Sequence, residues 1–389
     1  MSVSKKVAAD LAQASWIRRM FEEGARLKAQ RGADRVFDFT LGNPEVEPPA
    51  GVLETLRQVV AEGRPRTHCY MPNAGFPEVR DAIAGRLAAR TGLPYTREHI
   101  VMTVGAAGAM NVALKSILDP GDEVIVLVPY FPEYRFYIEN HGGVVVPVDT
   151  GDCFQPDLDR IAAAITARTK AIVINSPNNP TGALYSAGVL RDLGALLERH
   201  PQVLVLSDEP YRSLVFDGRK QAEAPPLIRR TLVADSWSKA FALPGERIGC
   251  LAISPSIEDW AALRDAATFA TRVLGFVSAP AIWQWVIARA PEVTVDVGLY
   301  QQKRDLLCDA LARMGYGLTK PAGAFYAFPR TPIADDVAFI RVLLEEGILA
   351  VPGSGFGRAG YIRLSLTVPR ETILASLPGF ERALKAACA

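Results

Sequence analysis

Residues 236–249 read SWSKAFALPGERIG and lie between two short apolar runs, 232–235 and 248–253. Hydroxyl, aromatic and apolar side chains surround Lys239, and Arg247 follows eight positions later. Most lysines are solvated surface charges, but a lysine kept from water by such neighbours loses basicity, which an imine-forming nucleophile requires. The stretch therefore predicts a strand end that carries a reactive amine.

Apolar runs of this kind alternate with helical patterns over residues 100–253. The runs predict strands at 100–104, 123–128, 144–148, 171–175, 203–207, 232–235 and 248–253. The segments between several of them predict helices at 107–117, 132–141, 158–166 and 187–199. Strands that are almost continuously apolar are typical of a sheet covered on both faces. The alternation predicts an α/β fold with a mostly parallel sheet.

The pattern changes after residue 255, where helical segments dominate. It predicts helices at 257–270, 280–290, 295–314, 335–346 and 371–386, a strand pair at 317–320 and 324–328, and a strand at 361–366. The first 45 residues contain one amphipathic helix, at 17–28, followed by an extended segment. We expect an N-terminal arm (1–45) that belongs to the small domain, a large domain (46–290) and a smaller α+β domain (291–389).

Composition removes several classes of function. The 389 residues suffice for two to three domains, and 49% apolar with 22% charged residues is typical of a globular protein. A net charge of +1 gives no whole-chain case for binding nucleic acid or an acidic membrane. Five scattered cysteines show no metal-binding or CxxC spacing, and the N-terminus has no apolar leader. We expect a cytoplasmic protein without a bound metal or membrane segment.

Four predicted strands are followed by polar groups, and active sites of open α/β sheets lie at such carboxyl ends. The groups are the turn Gly105-Ala106-Ala107-Gly108, the amides of Asn178-Asn179, Asp208 with Tyr211, and Ser236-Trp237-Ser238-Lys239 with Arg247. Separately, the first two are also compatible with ordinary turns and the carboxylate with a helix cap. Together they fit one ligand, a phosphorylated aromatic aldehyde with a pyridine nitrogen and a ring hydroxyl.

Nine blocks, in order, resemble the class I/II aminotransferases of the pyridoxal-phosphate-dependent fold type I, which are aspartate aminotransferase-like. They are LGNPEVEPP (41–49), YMPNAGFPEVR (70–80), TVGAAGAMNVAL (103–114), PYFPEY (129–134), NSPNNPTG (175–182), SDEPY (207–211), SWSKAFALPGERIG (236–249), PAGAFYAF (321–328) and YIRLSL (361–366). The resemblance covers essentially the whole chain. It implies the fold type I architecture and a ping-pong aminotransferase that uses pyridoxal 5'-phosphate.

The resemblance also implies the catalytic residues. Lys239 forms the Schiff base (internal aldimine) and shuttles the proton during transfer. Asp208 pairs with the pyridine nitrogen, which keeps the ring an electron sink. Tyr211 and Asn179 hydrogen-bond the ring oxygen.

Other residues are assigned to binding by the same resemblance. The cofactor contacts are Phe131 stacked on the ring, and Ala106, Ala107, Ser236 and Arg247 around the phosphate, with Tyr70 reaching the phosphate of the neighbouring subunit in a homodimer. Arg363 clamps the substrate α-carboxylate, with Gly42 and Asn179 nearby. Simpler roles stay open for three residues: Phe131 as core, Gly42 as a turn and Ser238 as a packing hydroxyl.

The substrate is less determined than the cofactor. An aspartate-type donor is the first hypothesis, because many relatives with this block pattern use acidic donors. Ala107 weakens it, since some aspartate-using relatives have a lysine there that reads the distal carboxylate. Another cation, such as Arg18, Arg64 or Arg135, would have to replace that lysine.

Three other functions remain as alternatives. A β-elimination lyase would use the same first carbanion on the same fold. A serine acyl-enzyme matches SxxK at 236–239, but the S-D-N and K-T-G motifs of that class do not occur. A non-enzymatic amine sensor resembling this family would need an additional DNA-binding domain, for which we expect too few residues before the large domain.

Overall fold

The computed structural model describes residues 2–12 and 16–388, with the backbone alone described at residues 12, 16–19, 21, 22 and 33. The α-helices of the described residues are α1 (Lys5–Ala12), α2 (Trp16–Arg31), α3 (Ala50–Glu62), α4 (Pro77–Thr91), α5 (Gly105–Ile117), α6 (Glu133–Asn140), α7 (Leu158–Ala164), α8 (Ala187–Leu197), α9 (Trp237–Ala240), α10 (Trp260–Val273), α11 (Ala281–Arg289), α12 (Val297–Met314), α13 (Asp336–Glu345) and α14 (Arg370–Cys388). The strands are β1 (Phe37–Asp38), β2 (Ile100–Thr103), β3 (Glu123–Val128), β4 (Val144–Asp149), β5 (Thr169–Asn175), β6 (Leu204–Asp208), β7 (Thr231–Ser236), β8 (Gly249–Ile253), β9 (Tyr326–Ala327), β10 (Ile348–Leu349), β11 (Val351–Pro352) and β12 (Ile362–Ser365).

A seven-stranded sheet with the order β2-β8-β7-β6-β5-β3-β4 forms the centre of the molecule. Strands β3 to β7 are mutually parallel, whereas β8 is antiparallel to both of its neighbours, β2 and β7. The α/β fold with a mostly parallel sheet is thus confirmed. Because β5, β6 and β7 are adjacent and parallel, their carboxyl ends open onto one edge of the sheet.

Both faces of this sheet are covered, as the apolar runs predict. All residues of β3 and β6 are buried. Alternate residues of one strand enter different cores: Val124 and Val126 pack in one apolar cluster, Ile125 and Leu127 in another. Period-two alternation of side chains sends neighbouring residues of a strand to opposite faces, so each face needs its own layer of helices.

The C-terminal part contains a three-stranded antiparallel sheet, β11-β12-β9, surrounded by α12, α13 and α14. The predicted strand at 317–320 is wrong. Those residues have no strand partner, Gly317 accepts only a single backbone bond from Arg330, and Pro321 follows directly. A proline lacks the N–H that a ladder requires, and β9 pairs with β12 instead.

The N-terminal segment joins this C-terminal part through a parallel pair of strands, β1 and β10. It contains two helices, α1 and α2, where the sequence predicted one. The Arg31 guanidinium donates to the carbonyls of Leu344 and Glu345 at the end of α13. The segment therefore packs on another part of the chain, as expected, while the domain boundaries at 45/46 and 290/291 remain a prediction.

Two negative findings apply to residues 2–12 and 16–388. None of their helices combines the length and the apolar character that crossing a membrane requires. None of their His, Cys, Asp and Glu side chains form a group of three or more suited to a metal ion.

Candidate active site

A cavity of about 330 Å³ opens at the carboxyl ends of β5, β6 and β7. It brings together almost every residue that the sequence predicted for the site: Gly42, Ala106, Ala107, Phe131, Asn179, Asp208, Tyr211, Ser236, Ser238, Lys239, Arg247 and Arg363 all line it. These residues come from the N-terminal segment, five parts of the central sheet region and β12. Tyr70 is the exception, since its side chain is 94% exposed and does not line the cavity.

Lys239 lies in the short helix α9, immediately after β7. Its Nζ donates a hydrogen bond of 2.7 Å to the Gly42 carbonyl. Burial, together with the positive charges of Arg363 and Arg247, lowers the pKa of Lys239 to about 8. A substantial fraction of this amine is therefore unprotonated near neutral pH, as a nucleophile must be.

Asp208 ends β6 and has one carboxylate oxygen without a partner. Its Oδ2 accepts a hydrogen bond of 2.5 Å from the Tyr134 hydroxyl, whereas Oδ1 is buried and has no partner among the described residues. Burial is the main reason that the pKa of Asp208 is raised to about 7. A buried, unpaired carboxylate oxygen is costly. A cationic N–H facing it would relieve that cost.

A network of amides joins Asp208 to the arginine on the opposite wall. Asn175 donates from its side chain to the Asp208 carbonyl, and its side-chain oxygen accepts the Asn179 N–H. The Asn179 side-chain oxygen in turn accepts a bond of 3.1 Å from Arg363. Both asparagines are buried. The network holds a neutral polar wall in one position.

Tyr211 lies at the same strand end. Its hydroxyl is 3.2 Å from that of Tyr326, and both rings are buried. The two phenols add hydroxyl groups to the wall next to Asp208 without adding charge at neutral pH.

One end of the cavity is built to accept an anion. Gly105 begins α5 with φ +77°, and a Cβ there would approach the Arg247 guanidinium to 3.0 Å. A Cβ on Gly249 would lie 2.6 Å from the Gly105 backbone. The first N–H groups of a helix have no intrahelical acceptor and carry partial positive charge. The amides of Ala106 and Ala107, the Ser236 hydroxyl and Arg247 therefore form a cradle that fits a phosphate group.

Arg363 is buried in β12, where neighbours fix its guanidinium. It donates to the Thr40 carbonyl at 2.5 Å and to Asn179, and it lies 4.4 Å from the Tyr326 ring centroid. Its Nε is buried and has no partner among the described residues. A fixed guanidinium with an unused donor at a cavity wall suits a carboxylate.

Two of the three cations that the sequence offered for binding a distal carboxylate, Arg64 and Arg135, do not line this cavity. Arg64 pairs with Glu78 and stacks over Trp285. Arg135 pairs with Glu139. The side chain of Arg18 lies outside the described residues.

Several lining residues were not identified from the sequence. They are Met110, Glu133, Tyr134, Tyr137, Asn175, Pro210, Pro244 and Tyr326. Tyr134 and Tyr326 lie inside the blocks PYFPEY and PAGAFYAF. The blocks thus indicated the right segments, but not the side chains that these two tyrosines contact. Phe131 meets the Tyr134 ring edge to face at 5.6 Å.

Comparison with known proteins identifies the family. The family model for aminotransferase class I and II matches residues 34–376. An aspartate/prephenate aminotransferase of Thermus thermophilus is 38% identical over 369 residues, which is 91% of this chain and 92% of that protein. An aspartate aminotransferase of Geobacillus stearothermophilus is 32% identical and covers 99% of this chain and 100% of its own length.

Solved structures show the same relationship. An amino transferase of Eubacterium rectale superposes with a TM-score of 0.95 at 37% identity, covering 99% of both chains. The Thermus thermophilus aspartate aminotransferase with maleate gives a TM-score of 0.89 at 34% identity, covering 99% of this chain and 100% of that one. The chain belongs to the aminotransferase class I and II family. It is a transferase of amino groups, and the predicted family and fold are confirmed.

Proposed function

We propose that this enzyme uses pyridoxal 5'-phosphate to move an amino group between an L-amino acid and a 2-oxo acid in two ping-pong half-reactions. The observation that carries the proposal is the arrangement in one cavity of a weakly basic lysine, a carboxylate with an unpaired oxygen and a fixed arginine. Each of these three groups meets a different part of the same bound pair, coenzyme and substrate.

The residues present fit the coenzyme. Lys239 is the amine that would hold its aldehyde carbon, and Asp208 Oδ1 is the unpaired acceptor for its ring N–H. The cradle of Ala106, Ala107, Ser236 and Arg247 fits its phosphate, and Phe131 lies where it can cover the ring. When bound, the coenzyme supplies an electron-withdrawing ring that stabilises negative charge at the substrate Cα.

The chain itself supplies positioning and proton transfer. Arg363 binds the substrate α-carboxylate, which orients the Cα–H bond and places it near the Lys239 amine. The amine, with its pKa lowered to about 8, removes that proton as a base and then delivers it as an acid. Tyr211 and Asn179 are the residues that would hydrogen-bond the ring oxygen and hold the ring in one orientation. The Gly42 carbonyl accepts a hydrogen bond from this amine, and the absence of a side chain at Gly42 lets Tyr326 pack against its backbone.

The donor is the least determined part of the proposal. Aspartate is the first donor to test, because both relatives reported above with a stated substrate carry it in their names. At position 107 the side chain that lines the cavity is only the methyl group of Ala107. A panel of amino acids with 2-oxoglutarate as acceptor ranks the donors directly.

Reduction of the coenzyme-loaded enzyme with borohydride tests the central assignment. We expect a stable coenzyme adduct on the peptide that contains Lys239, located by mass spectrometry. Donor turnover should require a 2-oxo acid acceptor. An adduct on another lysine would refute the assignment. Steady release of ammonia without an acceptor would instead favour a β-elimination lyase.

We also infer a homodimer with shared sites and a cytoplasmic location. The exposed Tyr70 is available to reach the phosphate cradle of a second subunit, and all five cysteines are free thiols. Mixing a Tyr70→Phe subunit with a Lys239→Ala subunit tests the sharing. The hybrid restores one native site if Tyr70 acts across the interface, so activity should exceed the sum of the two parents. Activity equal to that sum would contradict a shared site.

A further inference from the structure

Glu133 is a carboxylate of the cavity that the proposed reaction does not use. It is the first residue of α6 and lines the same cavity as Lys239 and Arg363. Its Oε2 is buried and has no hydrogen-bond partner among the described residues. Burial raises the pKa of Glu133, while its own backbone N–H and the positive charge of Arg363 act in the opposite direction.

A structural role at the helix start does not account for this side chain. Acidic residues in the first turn interact favourably with the helix dipole, and an exposed glutamate gains this benefit without losing its hydration. Oε2 of Glu133 is instead buried, and no donor among the described residues reaches it. Such an oxygen destabilises the folded protein unless something binds it. The side chain is therefore placed for a group that enters the cavity.

The surroundings of Glu133 define what that group can be. Tyr137 and Tyr326 line the same cavity, and the charge of Glu133 contributes to raising the pKa of both hydroxyls. The cationic side chains that line the cavity are Lys239, Arg247 and Arg363. The proposed function assigns these to the coenzyme aldehyde, the phosphate and the α-carboxylate. Among the described residues, the remaining wall thus offers one acid and phenols, and no unassigned cation for a second substrate carboxylate.

We propose that Glu133 reads the side chain of the amino donor, accepting a hydrogen bond from a side-chain N–H or O–H and raising the KM for donors that carry a second carboxylate. This inference rests on the proposed aminotransferase function. Acidic donors stay substrates, but a like charge in the pocket weakens their binding. Selectivity of this kind comes as much from repulsion of one ligand as from attraction of another.

Aspartate and asparagine form the matched pair of donors that tests the role. They have nearly the same shape and differ by a charge and two N–H donors. For Glu133→Gln we expect the ratio of kcat/KM for aspartate over asparagine to rise about tenfold, mainly through KM, because the repulsion is removed. Glu345→Gln is the control, since this exposed residue changes the net charge equally outside the cavity. It should leave the ratio unchanged.

Binding measured without turnover separates this role from the reaction. Calorimetric titration of the coenzyme-loaded enzyme with maleate, a dicarboxylate, should give a Kd about tenfold lower in Glu133→Gln than in the wild type. A monocarboxylate such as propionate should show no comparable change. Glu133→Ala should shift maleate binding in the same direction, which guards against an effect of the new amide.

Each outcome of these experiments either supports or contradicts the proposed role of Glu133. A ratio and a maleate Kd that stay unchanged in Glu133→Gln would overturn the assignment, as would tighter maleate binding by the wild type. If the wild type transfers no amino group from any donor, the proposed function fails. In that case the maleate titration still tests the role of Glu133, because it does not depend on turnover.

Discussion

Two lysines with lowered pKa values contact the same stretch of the N-terminal segment, at Gly42 and Glu45, yet the structure gives them different surroundings. Burial lowers the pKa of both Lys239 and Lys303 to about 8. Lys239 donates to the neutral Gly42 carbonyl, lines the cavity and has Arg363 as a charged neighbour. Lys303, in α12, forms an ion pair with Glu45.

The comparison shows that a lowered pKa does not by itself locate a reactive amine. The charge of Glu371 acts to raise the pKa of Lys303, and its amine points at a carboxylate rather than into the cavity. Lys239 has cations as neighbours and open space in front of it. The groups that surround an amine decide its role, so a perturbed pKa is only a first indication of a functional site.

The most direct test of the contrast between the two lysines is to remove the Lys239 amine. Lys239→Met keeps an apolar stem in the cavity but can neither hold the coenzyme nor move a proton. We expect kcat to fall by about 10⁴-fold or more, since residues that act as nucleophile and base together lose both functions. Single-turnover absorbance changes on mixing with amino donor measure it. Turnover within tenfold of the wild type would rule out Lys239 as the catalytic amine.

The next largest effect concerns the cation beside Lys239. In Arg363→Gln the α-carboxylate loses its charged partner, and kcat/KM should fall by about 10²–10³-fold because a buried charge pair is broken. The same substitution should raise the pKa of Lys239, because one of the positive charges that lower it is gone. The pH dependence of acylation of Lys239 in the coenzyme-free protein reports this pKa. An unchanged profile would show that the charge of Arg363 does not contribute to this pKa.

Asp208 extends the comparison from the amine to the acid of the same cavity. Its pKa is 3.8 ordinarily and about 7 in the folded protein. The folded state thus binds the proton more tightly, so the wild type loses stability as pH rises from about 4 to 7. In the coenzyme-free protein, Asp208→Asn should be more stable by about 1–3 kcal/mol at pH 8. Near pH 4 the two should be equal. Urea unfolding at the two pH values measures the difference, and a less stable variant at pH 8 would contradict it.

The smallest effect is expected at Lys303. Lys303→Met removes the ion pair with Glu45 but leaves the cavity and its donors unchanged. We expect kcat to stay within about threefold of the wild type, as for a substitution that does not touch the reacting groups. Initial rates at saturating donor measure this. A loss comparable to that of Lys239→Met would place Lys303 in the reaction and end the contrast between the two lysines.

The sequence predicted the central sheet well because its strands carry their own signal. Continuous apolar runs bounded by turn residues located all seven strands, within about two residues at each end. Helices α3 and α4 were not predicted, although both are long. Their residues lie before the strand–helix alternation begins, and their buried positions are few and interspersed with exposed charges. The antiparallel direction of β8 was also invisible, since a buried strand looks the same in either direction.

The cavity shows which contacts a sequence can and cannot reveal. Strand ends placed Asp208 and Lys239 together because parallel strands share an edge. The bond from Tyr134 to Asp208 spans 74 positions and depends on how α6 sits above β6. The orphan oxygen of Glu133 depends on the same placement. Neither feature can be predicted from the local sequence pattern, although the family blocks did indicate the segments that contain these residues.

The hydrogen bond from Lys239 to Gly42 joins the cavity to the N-terminal segment. The amine that we propose binds the coenzyme also donates a hydrogen bond to the N-terminal segment, 197 positions away. Once Lys239 is engaged elsewhere, the Gly42 carbonyl loses this donor, and the segment is held by its remaining contacts alone. Binding of the proposed coenzyme to Lys239 would therefore remove one contact of the N-terminal segment, and the proteolytic sensitivity of residues 41–49 with and without coenzyme would measure the consequence.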